Sequence, residues 1–229
     1  MAHALRYLIA ILWVGGALAA RAQTAAPEQR VRFTVFSTRA TSDLAYTPRP
    51  GAVPAPLVLY PTARSPRYDY RGALPLRFID SKTNTVVAEA AVPPGIADAL
   101  LLLVPIEPSP ATGLRYQVYV LDDAAARQTP GSLAIINFSG LVLTGTIEGQ
   151  PVTLKAGLNS AQPVGRAAAL VLRTTFKSRS YQAYAGTVEL AKSERALLLL
   201  LPPFYKGSLE VQSRLLIDTP PRPAPITAR

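Results

Sequence analysis

"RALLLLLPPF", Arg195 to Phe204, decides the fold of this chain. Five consecutive leucines admit three readings: a membrane segment, a greasy surface or a buried strand. The run from Ala196 to Leu201 is far below the ~20 residues a spanning helix needs. Proline closes it on one side and Arg195 on the other. A short continuous apolar run between such breakers suits a central strand with both faces covered. The opposing sheet would cover one face, and a neighbouring loop or another domain the other.

The run has a twin. "ALLLLVP" (99–105) and "ALLLLLP" (196–202) agree at six of seven positions. The flanks extend the match in the same order. "APLVLYP" (55–61) faces "QPVTLKA" (150–156), and "GALPLRFID" (72–80) faces "AALVLRTTF" (168–176). "AEAAVPPGIAD" (88–98) faces "AGTVELAKSER" (185–195), and "YQVYVLD" (116–122) faces "QSRLLID" (212–218). At the front, "VRFTVFS" (31–37) faces "LAIINFS" (133–139), matching Phe36-Ser37 to Phe138-Ser139. The chain reads as two copies of one unit, residues 30–122 and 132–218, joined by a linker at 123–131 and followed by a Pro-rich tail at 219–229.

Within each copy the segments are short and β-type. "RFTVFST", "LVLY", "LPLRFID", "TVVAEAAV" and "RYQVYVL" alternate or run apolar between Pro, Gly, Asp and Ser. "LVLTGTIEG" (141–149) reads as the hairpin partner of "QPVTLKAG". "YTPRPGAVPAP" (46–56) reads as a surface loop or sheet edge. Six or seven strands in about 90 residues predict an all-β protein of two tandem, internally duplicated β-sandwich domains of immunoglobulin or fibronectin type. The antibody-type Cys–Trp–Cys pattern is missing, since there is no cysteine and the only tryptophan is Trp13.

Residues 1–22 have the form of a signal peptide. Arg6 gives a positive start, Leu8 to Ala20 an apolar stretch, and Ala20-Arg21-Ala22 a small-x-small site, which places cleavage after Ala22. The expectation is an exported protein, periplasmic or extracellular, with no transmembrane anchor after cleavage. Net charge is +10, carried mostly by arginine; Arg6 and Arg21 leave with the signal, so +8 remains. In an exported protein such charge points to envelope polyanions before nucleic acid. An arginine-favouring codon bias accounts for the same composition.

Catalytic chemistry has little to draw on. The single histidine, His3, lies in the signal and cysteine is absent. That removes Ser–His–Asp and Cys–His nucleophiles and ordinary zinc sites. No S-x-x-K, Walker A, Rossmann or calcium-loop motif occurs. Asp122 and Asp123, the adjacent carboxylates, read as a solvated turn, with Asp218 in the Asp122 position of the second copy. The sequence therefore predicts no enzyme, no catalytic residue, no metal and no cofactor. Asn137-Phe138-Ser139 has the form of a glycosylation sequon but falls inside a predicted strand.

Two basic-aromatic stretches remain. "ARSPRYDYRG" (63–72) offers Arg64, Arg67, Tyr68, Tyr70 and Arg71; "RTTFKSRSYQAY" (173–184) offers Arg173, Lys177, Arg179, Tyr181 and Tyr184. Guanidinium and ring together hold anions or sugars. The competing reading is an ordinary loop and an exposed strand face.

The strand pattern, with "AIINFSG…GQPVTLKAGLNS" its most domain-like stretch, resembles secreted bacterial proteins with repeated Ig-like domains of unknown function. The expectation is an exported cell-envelope protein with a binding or structural role, whose partner is an envelope protein or an acidic polysaccharide. Two alternatives stand beside it. A pilus-type periplasmic chaperone also has two Ig-like domains and a basic pI, and lends a strand to its subunit. A polyanion or glycan binder would use the Arg/Tyr stretches.

Overall fold

Both leucine runs form interior strands, and the reason lies in what covers their two faces. In the computed structural model, which describes residues 28–39, 43–106, 113–124 and 128–219, the first half holds eight strands. They are β1 (Gln29–Ser37), β2 (Leu44–Tyr46), β3 (Ala55–Pro56), β4 (Tyr68–Gly72), β5 (Leu76–Asp80), β6 (Thr85–Ala90), β7 (Asp98–Pro105) and β8 (Tyr116–Asp122). The second half holds β9 (Ser132–Asn137), β10 (Leu143–Ile147), β11 (Gln150–Leu154), β12 (Gly157–Pro163), β13 (Ala167–Phe176), β14 (Arg179–Glu189), β15 (Arg195–Pro203) and β16 (Val211–Asp218). The described residues contain no helix, so the protein is all-β there, and none of them forms a span that could cross a membrane as a helix. The expected signal at 1–22, linker residues 125–127 and tail residues 220–229 lie outside the described set.

The sixteen strands make four sheets of four. The first half has the orders β4-β1-β7-β8 and β3-β2-β5-β6; the second has β12-β9-β15-β16 and β11-β10-β13-β14. Strand for strand, the two halves share one order. In each, the first strand pairs parallel with the leucine strand, and the other pairings are antiparallel.

Three apolar cores follow. Leu101 and Leu103 of β7 turn inward with Phe33, Val35, Leu76 and Phe78 to fill the first half. Leu198 and Leu200 of β15 do the same with Leu133, Ile135, Leu170 and Leu172 in the second. The alternate residues of the same strands point the other way. Leu100 and Leu102 meet Leu197 and Leu199 across a seam that also buries Phe36, Ile136 and Leu216. The two leucine strands thus lie back to back, and the molecule stacks four sheets in depth. The period-two geometry of a strand explains why the run is apolar throughout: each half core takes one parity and the seam takes the other. Each fully buried leucine contributes roughly 1.5–3 kcal/mol.

Four details differ from the sequence reading. "LVLY" (57–60) is not a strand; the edge is the two-residue β3, because the prolines around it remove ladder donors. "RYDYRG", read as a loop, is strand β4, whose Tyr68 and Tyr70 alternate inward. Strands β2 and β12 have no counterpart among the expected segments. The register also moves two matches. Val35 lies beside Leu101 and Ile135 beside Leu198, so Val35 answers to Ile135 and the Phe36-Ser37/Phe138-Ser139 alignment is displaced by one pleat. Ala99 pairs with Asp122 and Ala196 with Ile217, so Asp218 answers to Asp123 rather than to Asp122.

Candidate functional site

The arginines of the first half gather where β1 begins and β4 ends. Arg30 and Arg71 are direct cross-strand partners, as are Val31 and Tyr70, and Arg32 and Asp69. Like charges opposite one another in a ladder repel. The connection from β2 to β3 brings a third guanidinium: Arg71 N donates to Pro48 O at 2.8 Å, which seats Arg49 beside them. The result is a groove of about 590 Å3, with Arg30, Arg32, Arg49 and Arg71 and a single carboxylate, Asp69, around Val31, Pro48, Ala97 and Tyr70. A neighbouring cavity of about 410 Å3 shares Arg49 and Tyr70 with it and adds Arg77.

Some of this charge is matched. Arg71 Nε sits 2.8 Å from Glu28, Arg32 Nη2 2.8 Å from Asp98, and Arg77 Nε 3.0 Å from Glu89. Among the described residues Arg30 and Arg49 have no carboxylate partner. Two free guanidinium forks over an apolar floor make a seat for a carboxylate or phosphate on a body with a hydrophobic face. The Tyr70 hydroxyl donates to Ala73 O and its ring lies over Gly72, so it offers the groove its ring and not its hydrogen bond. Burial raises its pKa, against the pull of Arg77.

The sequence-derived candidates divide three ways. Tyr70 and Arg71 line the groove. Arg67 reaches Asp98 at 3.4 Å nearby, and Tyr68 packs against Phe33 and Tyr46 while its hydroxyl accepts from Val58 N. Arg173, Lys177, Arg179 and Tyr181 stand exposed along the β13–β14 hairpin, at another place on the molecule. Lys177 lies 5.5 Å over the Phe176 ring, and Arg173 Nε donates to Ser180 Oγ at 3.0 Å. Tyr184 turns into the second half's core, over Gly186; burial raises its pKa, and a hydrogen bond with Ser213 opposes the shift.

Arg64 has a different task. It is buried, and its Nη1 donates to both Asp123 oxygens at 2.8 Å and lies 3.4 Å from Asp218. Arg195, at 0% exposure, holds the same acids from the other side: Nη2 is 2.9 Å from Asp123 Oδ1 and 2.9 Å from Asp218 Oδ2. Its Nη1 donates to the Asp123 and Gln128 carbonyls at 3.3 Å. Asp123, read as a solvated turn, is therefore part of a neutral cluster of two arginines and two aspartates joining the halves. Among the described residues no group of three or more His, Cys, Asp or Glu is placed to hold a metal ion.

Arg30 and Arg49 escaped the sequence reading. Arg30 carries a weak signal, since Arg30 and Arg32 alternate with Val31 and Phe33 at a strand start. Arg49 carries none, because its place depends on a loop closing onto β4. The chain matches no protein-family model and no curated protein.

Proposed function

We propose that this is an exported, non-catalytic cell-envelope protein that holds an acidic polysaccharide in the arginine groove of its first half. The single observation that carries the reading is the pair of unpartnered guanidiniums, Arg30 and Arg49, beside the like-charged ladder pair Arg30/Arg71. A carboxylate there relieves the repulsion and satisfies the forks bidentately. The apolar floor of Val31, Pro48 and Ala97 suits the C–H face of a sugar ring. The fold is read as a duplicated unit of immunoglobulin-like sandwiches, residues 30–122 and 132–218, supported by the strand order that the halves share. The signal-like N-terminus supplies the compartment.

The test is retention of the 23–229 protein on immobilised polygalacturonate, with neutral dextran as control. Retention is expected to weaken with salt. Arg30→Ala with Arg49→Ala should abolish it, while Arg67→Ala with Arg179→Ala should leave it largely intact. Unchanged retention in the Arg30/Arg49 variant would sink the proposal.

A further inference from the structure

A second surface lies at the opposite end of the strands. Asp123 meets Arg195 near the start of β15, and Tyr119 meets Phe138 at 4.6 Å nearer its finish, so the leucine strands run the same way. The groove sits at the start of β1. The loops that follow β9, β13 and β15 gather at the far end, about 30 Å away for a nine-residue strand. Strand β12 ends beside the start of β9 and leads directly into β13, and β14 leads through residues 190–194 into the start of β15. The β13–β14 and β15–β16 tips therefore share the far end of the second half.

These tips carry large apolar side chains outward. Phe204 is 73% exposed, Tyr205 72% and Phe176 50%, and Val142 of the β9–β10 loop is 72% exposed. Phe204 and Tyr205 pack edge to face at 4.9 Å, straight after Pro202-Pro203. A cation follows each aromatic tip: Lys177 after Phe176, with Arg179 beyond, and Lys206 after Tyr205. Among the described residues none of Lys177, Arg179 and Lys206 has an acidic partner, and the only carboxylate in the two hairpin tips is Glu210.

We infer that this end of the second half docks on an anionic lipid surface. Projecting rings with cations set just behind them match the layering of a bilayer interface, where rings enter the headgroup boundary and ammonium or guanidinium groups meet phosphates. Water strands that much apolar surface on a convex tip, whereas a sugar chain asks for a groove. The surface shares no residue with the arginine groove and does not depend on the polysaccharide reading.

The 23–229 protein contains no tryptophan, so Phe204→Trp is a clean reporter in it. Its emission should shift to the blue on vesicles of phosphatidylglycerol with phosphatidylcholine, and not on phosphatidylcholine alone. In the wild-type background, cosedimentation with the mixed vesicles should weaken about tenfold or more in Phe204→Ser with Tyr205→Ser. Lys177→Glu with Arg179→Glu should weaken it comparably. Arg30→Ala with Arg49→Ala should leave it unchanged, and all variants should keep the wild-type melting temperature. No blue shift and no cosedimentation would overturn the inference. So would vesicle binding that survives both tip variants, or that is lost only in the Arg30/Arg49 variant.

Discussion

Arg195 shows how a side chain can lock a fold without entering a core. It ends a leucine run in sequence, yet it is wholly buried and bonded to both strand-end aspartates. Removing one member of such a cluster leaves a buried charge unpaired. Arg195→Ala is therefore expected to cost roughly 3–5 kcal/mol in chemical denaturation, while a smaller loss would mean that water replaces the guanidinium freely. Asp80 is the acid-sensitive group. The Arg115 guanidinium, then the Lys82 and Thr83 N–H groups, hold its pKa down to about 2. A depressed carboxyl stabilises the fold above its unfolded value of about 3.9 and loses that contribution as pH falls toward 2. Asp80→Asn should flatten the dependence of melting temperature on pH in that window. At the alkaline side, burial raises the pKa of Tyr46, Tyr70 and Tyr184. Their stabilisation is complete below about 10 and fades as pH rises beyond it, so the share of tyrosinate absorbance that these three contribute should appear late and together with unfolding.

At the scale of elements, the parity of the leucine strand separates two jobs. Leu198 faces the second half's own core and Leu199 faces the seam, both almost fully buried. Leu198→Asp is expected to unfold the second half by leaving a charge in its core. Leu199→Asp should instead part the halves, keeping two separately folded sandwiches with faster tumbling and a lower melting temperature. Identical behaviour of the two variants would contradict the alternating assignment. Gly145 marks a different constraint: a Cβ there would stand 1.9 Å from the Val171 carbonyl oxygen. Gly145→Ala should destabilise the second half by about 1–3 kcal/mol, measured by denaturant melt.

Much of this layer was legible. The leucine twins, the "TIEG" hairpin of β10 and β11, and the end-to-end order of segments all follow from apolar runs and turn residues, which are local. The misses share a cause. Strand β4 hides in "RYDYRG" because tyrosines, not aliphatics, supply its inward parity. The β13–β14 turn hides because Lys177 and Ser178 take positive φ without the usual Asn-Gly signature. Arg49 and Asp123 have roles that only long-range closure creates.

At the scale of the molecule, the seam makes two sandwiches one body, with the arginine groove at one end and the aromatic tips at the other. The proposed activity is a tether: acidic polysaccharide in the groove, anionic lipid at the tips. Its central claim is the location of the polysaccharide site. Hydrogen-exchange mass spectrometry of the 23–229 protein, with and without polygalacturonate, tests it directly. Slowed exchange is expected in residues 28–33, 47–50 and 67–72, with residues 173–184 unchanged. Protection confined to residues 173–184, or none at all under saturating polymer, would contradict it.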